Sequence, residues 1–529
     1  MRSHPTAVVT ILGVSFAALA MPAAAQTPPP TASAAVAVTQ PVGADSVADS
    51  YGVGIHLGFL DTPYRDASAV ATSLHDLGVR HVRDDLYLDN PRQYDGIATV
   101  ARQGIRFDLI TGKPTSGADP ATYVQTVADR LPKGSVESLE GTNEWDISGR
   151  PDWVSEMVTR QQALYTAAKA NPATADLPVL APALAFRWNY AAVGDLSPYS
   201  DLANAHMYPG GYQPSNEVAN ITSALRVAEP GKPLVVTEAG YHNAVNTMNG
   251  HLPVPEDVAG VYMPRLLLEH YLHGDMRTYS YELIDEFDDP GLTDPEAHFG
   301  LLRHDLSPKP AYTAMKTLLG LLSDPGPAFS PSSLPVSIQG APSDTRSLLT
   351  QKRDGRYVLL LWRDVSVYDP LLHTPLAVQP ADVTVNLGSP ASLNVYRVSS
   401  GPDPVDQTVA QSLPLKLDGQ VTAVTIDPPP APPPPPPPPT TTPSAPTVSS
   451  ATAGKGSVTV AWRKPGSDGG RPITGYQLVS GTKTLTVDAK TTKATVTGLP
   501  AKKKVRVSVQ AKNANGWGAK VYTKYVTTK

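Results

Sequence analysis

The sequence predicts an α/β protein: a (β/α)8 TIM barrel over residues 49–325, a β-sandwich over 326–427 and a second, C-terminal β-sandwich over 445–529. Three observations predict it. Between residues 51 and 320, short β-branched runs alternate with amphipathic stretches, as repeated βα units do. Beyond residue 330 helical periodicity gives way to strand patterns. The run Pro428–Pro439, broken only by Ala431, then separates a last segment of different composition.

At the N-terminus, Arg2 precedes an apolar stretch from Ala7 to Met21 and then Pro22-Ala23-Ala24-Ala25. That order reads as a signal peptide over residues 1–25, which predicts a secreted, extracellular protein. The apolar stretch is too short for a membrane span and no later segment is long enough, so no membrane anchor is expected after cleavage. Residues 26–48 are rich in Pro, Ala, Thr and Val and read as a linker.

Eight strands are expected for the barrel: Gly52–His56, Val79–Asp84, Phe107–Thr111, Val136–Asn143, Val179–Ala183, Ala203–Tyr208, Leu234–Glu238 and Thr278–Leu283. Ala67–Leu77 and Trp153–Ala170 carry apolar residues at helical spacing between them, which favours a barrel over a doubly wound sheet. Tyr357–Trp362, Val383–Leu387, Leu393–Val398 and Val421–Ile426 supply the strands of the following sandwich. Residues 428–444 read as a stiff Pro/Thr-rich spacer.

The chain has no cysteine, which excludes disulfides and thiolate metal sites, so an exported chain of this size depends on its cores. The formal charge is −5, yet residues 445–529 hold 15 Lys and Arg against Asp468 and Asp488, a balance of +13 that leaves −18 on the rest. A basic module on an acidic body suits an anionic cell wall as partner, although Lys502-Lys503-Lys504 also fits a solvated turn. No nucleic acid partner is expected, and the chain is expected to be a monomer.

The strings Gly141-Thr142-Asn143-Glu144-Trp145 and Val235-Val236-Thr237-Glu238-Ala239-Gly240 each end a strand-like run on a glutamate, 94 residues apart. At roughly 30 residues per βα unit that is about three units, which places Glu144 on strand 4 and Glu238 on strand 7, facing across the barrel mouth. Two carboxylates so placed are what glycosidic bond hydrolysis uses, one to protonate the leaving oxygen and one to attack or to activate water. A surface charge at a strand end is the alternative reading of either residue alone.

With these residues the stretch from about 51 to 320 resembles the clan A glycoside hydrolases, especially the cellulase-like family five and xylosidase-like family thirty-nine groups. The resemblance implies a retaining (β/α)8 enzyme with Glu144 as acid/base, Glu238 as nucleophile and Asn143 as a donor to the sugar 2-hydroxyl. Gly78-Val79-Arg80-His81-Val82-Arg83 is similar to the strand 2 motif whose last arginine supports the nucleophile, here Arg83. His206-Met207-Tyr208 resembles the His-x-Tyr pair of strand 6, and Phe299–Arg303 with Ser307–Tyr312 resembles the ending before the last helix. The sequence departs from the pattern at strand 8, where Tyr281 stands in place of a sugar-stacking tryptophan, and at strand 3, which lacks the histidine of many cellulase-like members.

Under that resemblance Arg83 and Tyr208 would keep Glu238 ionised, and the Glu238 charge would raise the pKa of Glu144. Glu140 is read as a buried hydrogen-bond partner. Trp145, Trp188, Tyr212, Tyr241 and Phe287 fall in loops after strands 4 to 8, where aromatic faces could stack on sugars or pack in the core. The substrate-binding set is thus Asn143, Arg83, His206, Tyr208, Tyr281 and Trp145. Asp285, Glu286, Asp288 and Asp289 form an acidic cluster that could hold calcium or be loop solvation. The twelve histidines show no ligand spacing on a helix, so neither a metal nor another cofactor is expected.

Residues 445–529 resemble a fibronectin type III domain, with Pro446, Trp462 in Val458–Trp462, Gly475-Tyr476 and Asn513–Gly516 at the matching places, and Val505 where the corner tyrosine would stand. The residues leave three functions open: a polysaccharide hydrolase, an exo-acting β-glycosidase or transglycosylase using the same carboxylates, or a catalytically inactive carbohydrate- or wall-binding protein.

Overall fold

The computed structural model describes residues 36–38, 40–427 and 439–529. The chain divides into two compact units, Met1–Pro430 and Ala431–Lys529. The expected signal peptide and most of the proline spacer lie outside the described residues.

All eight expected barrel strands form: β1 Tyr51–Gly54, β2 His81–Asp85, β3 Arg106–Ile110, β4 Val136–Glu140, β5 Val179–Leu180, β6 Ala203–His206, β7 Leu234–Ala239 and β8 Arg277–Ser280. They pair in parallel in the order β5-β4-β3-β2-β1-β8-β7-β6, and a parallel bridge from Leu180 to Leu202 joins the two ends. Every residue of β7 is buried, which is why it reads as a near-continuous apolar run. Several strands stop short of their expected C-terminal ends. After Glu140 the chain leaves the sheet, so that Asn143 and Glu144 stand on the loop above it.

Helices α1 Ala67–Leu77 and α2 Trp153–Ala170 have the expected bounds. Asp66 caps α1 by accepting from the backbone N–H of Ser68 and Ala69, and Gly78 ends it in the left-handed region at φ 86°. Two later helices, α3 Glu256–His273 and α4 Pro310–Leu322, pack against each other, α3 also against β8 and α4 also against α1.

The second sheet contains β9 Val336–Gln339, β10 Thr345–Gln351, β11 Tyr357–Arg363, β12 Ala381–Arg397, β13 Asp406–Leu417 and β14 Thr422–Asp427. Along β11, Val358, Leu360 and Trp362 pack into the barrel's core while Tyr357, Leu359 and Leu361 pack into that of the sandwich. Burial of both faces explains its unbroken apolar sequence. Trp362 Nε1 donates to Glu269 of α3 at 2.7 Å, and the fully buried Arg265 donates to the carbonyls of Val365 and Gly419 at 2.9 and 3.1 Å. Barrel and sandwich thus form one unit, not a catalytic domain with a separable accessory.

Composition misleads at residues 26–48. Val36–Ala37 pairs antiparallel with β9, Val42–Gly43 pairs in parallel with β10, and Ala44–Asp49 is a helix whose Ala44, Val47 and Ala48 are buried. Val42 serves as a strand residue and Ala44, Val47 and Ala48 as core residues, so the part from 40 to 48 is not a linker.

Among the described residues the C-terminal unit has two larger antiparallel sheets and a two-stranded one, Lys504–Val505 with Val526–Thr527. One of the larger sheets holds Thr447–Gly454, Ser457–Arg463 and Lys493–Thr497, and the other holds Gly475–Ser480, Lys483–Asp488 and Ser508–Asn513 with shorter edge strands. Trp462 meets Tyr476 edge-on at 5.4 Å in its core. Backbone bonds from Thr441 to Gly469 and from Ser444 to Ser467 attach residues 441–444 to this unit, so the spacer ends earlier than 444.

Candidate active site

The C-terminal ends of the barrel strands surround a pocket of about 310 Å³. Glu238, near the end of β7, is 8% exposed. Arg83 Nη1 donates to its Oε1 and the Tyr208 hydroxyl donates to its Oε2, both at 2.7 Å. Burial opposes ionisation of Glu238, but the charges of His206 and Arg83 and the bonds from Tyr208 and Arg83 outweigh it and hold its pKa below the usual glutamate value.

Glu144 is placed by the loop after β4. Its backbone N–H donates to the Ala183 carbonyl at 3.0 Å, and its φ of 42° is in the left-handed region. A carboxylate oxygen of Glu144, one of Glu238 and a ring nitrogen of His206 lie within 4.8 Å of one another. His206 Nδ1 is 2.7 Å from Glu144 Oε1 and 3.3 Å from Glu238 Oε2. Burial disfavours the imidazolium, yet the two glutamates prevail and raise the pKa of His206.

Arg83 is shared. Its Nε and Nη2 donate to Glu140 Oε2 and Oε1 at 2.6 and 2.8 Å, and Nη2 also donates to Asn143 Oδ1 at 2.7 Å. With Oδ1 turned to the guanidinium, the Asn143 amide nitrogen is the donor left for a ligand. Glu140 is fully buried and also accepts from Asn204 Nδ2 at 3.0 Å, so it acts by holding Arg83.

Of the expected binding residues, Asn143, Arg83, Tyr208 and Tyr281 line the pocket and His206 bridges the two glutamates. Tyr281 donates its hydroxyl to Glu296 at 3.2 Å and packs edge-on against His56 and Phe299. Trp145 does not belong to the set. It is 7% exposed, packs in the core and donates Nε1 to Glu156 at 2.9 Å, because the chain turns after Glu144 and carries the indole away from the opening. Trp188, Tyr212, Tyr241 and Phe287 also stand outside the pocket lining, whose aromatic members are Phe59, Tyr208, Tyr281 and Phe299.

The sequence reading missed His56, Asp84, Asp85, His251, Glu296, Phe59 and Phe299, all of which line the pocket. The available signal was position: Asp84 and Asp85 directly follow Arg83 at a strand end, and His56 follows the Gly-Val-Gly of β1. Burial first, and neighbouring carboxylates with it, push Asp85 up to about 6 and Glu296 up to about 7, while burial lowers His56 to about 4.

The acidic cluster after β8 disperses into separate tasks. Asp285 pairs with Lys309 at 2.8 Å, Asp289 accepts from the N–H groups of Thr293 and Asp294, and Asp288 is exposed. Glu286 turns inward, where its Oε1 lies 3.8 Å from His56 Nε2. Among the described residues, His56 with Glu282 and Glu286, and Glu144 with His206 and Glu238, are the trios spaced closely enough to share a cation.

Residues 441–528 match the family model of the fibronectin type III domain. This segment is a fibronectin type III domain. Among curated proteins none matches the chain by sequence. The remainder is similar to a monomeric beta-xylosidase from Caulobacter crescentus CB15, at 17% identity and a TM-score of 0.50, over 74% of this chain and 98% of that one. It is also similar to the GH39 enzyme from Xanthomonas axonopodis pv. citri, at 15% identity and 0.50, over 74% and 96%, and to a glucosidase from Croceicoccus marinus, at 12% identity and 0.50, over 74% and 97%. A shared span of this length exceeds the barrel, so the likeness in fold extends into the β9–β14 sheet.

Proposed function

We propose that the protein is a secreted retaining glycoside hydrolase that cleaves β-glycosidic bonds of a polysaccharide by double displacement. The observation that carries this is the approach of a Glu144 and a Glu238 oxygen to within 4.8 Å. This approach is on the scale of the about 5–5.5 Å carboxyl separation of retaining enzymes and shorter than the roughly 6.5–9.5 Å of inverting pairs. The neighbours in fold, named as a xylosidase and a glucosidase, accord with the same chemistry.

In this reading Glu238, kept anionic by Arg83 and Tyr208, attacks the anomeric carbon. Glu144, reached by His206 on one oxygen, gives its proton to the leaving oxygen and later takes one from water. Asn143 donates to the sugar 2-hydroxyl. The one guanidinium lining the pocket is already committed to Glu140 and Glu238, while Asp84, Asp85 and Glu296 offer oxygens to hydroxyls, so the bound sugar is neutral and not a uronate. An inactive wall-binding barrel would have no use for so complete a set around Glu238.

The test uses two variants. Glu238→Ala abolishes attack and regains turnover with azide, giving an inverted glycosyl azide, because the small anion occupies the vacated position. Glu144→Ala retains activity on aryl glycosides whose leaving group needs no proton. Equal loss on activated and natural substrates, with rescue of neither, would remove the role assignment.

A further inference from the structure

Building on the hydrolase reading, we infer that Phe186 and Trp188 form a binding platform for a sugar ring on the leaving-group side of the scissile bond. The two rings are stacked on each other at 4.7 Å and 12°, and both remain in solvent, 39% and 64% exposed. A stacked aromatic pair left in water gains its full apolar contact only when something flat covers it, and the C–H face of a pyranose is such a surface.

Position identifies which sugar. The pocket around Glu238 is lined from the ends or following loops of every barrel strand except β5. The loop after β5 carries Phe186 and Trp188, and it is fastened to the segment that bears Glu144. Asp146, two residues beyond Glu144, accepts from the N–H groups of Ala185 and Phe186 at 3.0 and 3.1 Å and from Asn189 Nδ2 at 2.9 Å. The bond from Glu144 N–H to Ala183 completes the attachment. The acid faces the leaving oxygen, so the departing part of the glycan passes over Glu144 toward this loop. The platform therefore holds a leaving-group sugar in fixed register with the acid, and the natural substrate continues beyond the cleaved bond as a saccharide chain.

The experiment measures binding and turnover separately. Xylotetraose, cellotetraose and laminaritetraose are titrated calorimetrically into the Glu238→Gln variant and into the same variant carrying Trp188→Ala or Trp188→Phe. The expected result is a loss of about ten-fold in affinity for the tetraose that binds, about 1.4 kcal/mol, with Trp188→Ala and its recovery in most part with Trp188→Phe. In otherwise unaltered enzyme, Trp188→Ala lowers the ratio of kcat/KM for that tetraose to kcat/KM for its aryl monoglycoside by a similar factor. Equal affinity in the Trp188→Ala form, or no binding of any tetraose to the parent, overturns the platform. Trp188-dependent binding without hydrolysis by unaltered enzyme overturns the hydrolase reading and leaves the platform standing.

Discussion

Arg83 and Glu140 form a two-point pair inside the barrel, Nε to Oε2 at 2.6 Å and Nη2 to Oε1 at 2.8 Å, with Glu140 fully out of solvent. The pair leaves Nη1 for Glu238, so the guanidinium is aimed by one carboxylate at another. Glu140→Ala removes the aiming partner and leaves a buried, partly unpaired charge. It is expected to cost about 3–5 kcal/mol of stability and to lower kcat together with kcat/KM. Chemical denaturation and steady-state kinetics on the same preparation check this. A variant as stable and active as the parent would show that Arg83 needs no such support.

Tyr208 holds Glu238 ionised through a 2.7 Å bond, and the glutamate's pKa is depressed. Activity that requires the anion is lost as pH falls through that depressed value, so the acid limb of kcat/KM lies below the ordinary glutamate pKa of about 4.3. Tyr208→Phe takes away one stabilising donor and moves the limb upward by about one pH unit. A fall in kcat with the limb unmoved would make Tyr208 merely a packing residue.

Glu229 is buried outside the pocket lining, where it accepts from Ser200 at 2.6 Å, and burial pushes its pKa up to about 7. An unfolded glutamate ionises near 4.3, so between about pH 4.3 and 7 the native state holds the extra proton and this group's contribution to stability falls as pH rises. Glu229→Gln keeps an acceptor for Ser200 without the charge. Its Tm should exceed that of the parent by a few degrees at pH 8, with the difference shrinking toward pH 4.5. A constant difference across that range would assign the effect to packing.

The sequence reading reaches furthest where one residue type has one use. Leu234–Ala239 is apolar because both its faces are covered, and Asp66 and Gly78 bound α1, so strand and helix are legible there. Glu238 is legible near the end of β7, and Glu144 through the strand-like run before it, although that run leaves the sheet after Glu140. What local pattern could not give is the convergence of loops: Glu296 reaches the pocket from 14 residues after Glu282, and Trp145 turns inward because the backbone reverses at Glu144. Residues 36–48 look like part of a linker because their partners, β9 and β10, lie some 300 residues away in the chain.

Residues 445–529 carry the +13 balance, and Arg506 lies over the ring of Tyr522 at 4.4 Å with Tyr522 half exposed. Removing residues 428–529 should leave turnover of a small soluble substrate unchanged and reduce retention on an anionic cell wall. The difference should shrink at high salt, since attraction between exposed charges is screened over about 10 Å at 0.1 M. Wall pull-downs of both forms at low and high salt check it, and equal, salt-independent retention would refute targeting.

The most direct measurement of the central claim is peptide mass spectrometry after incubation with 2-deoxy-2-fluoro xylosyl and glucosyl fluorides, which form the glycosyl-enzyme but release it slowly. The double-displacement account predicts one added fluorosugar on Glu238 and none in Glu238→Gln. An enzyme that turns over the matching sugar yet carries its label on another residue, or carries none, would contradict it.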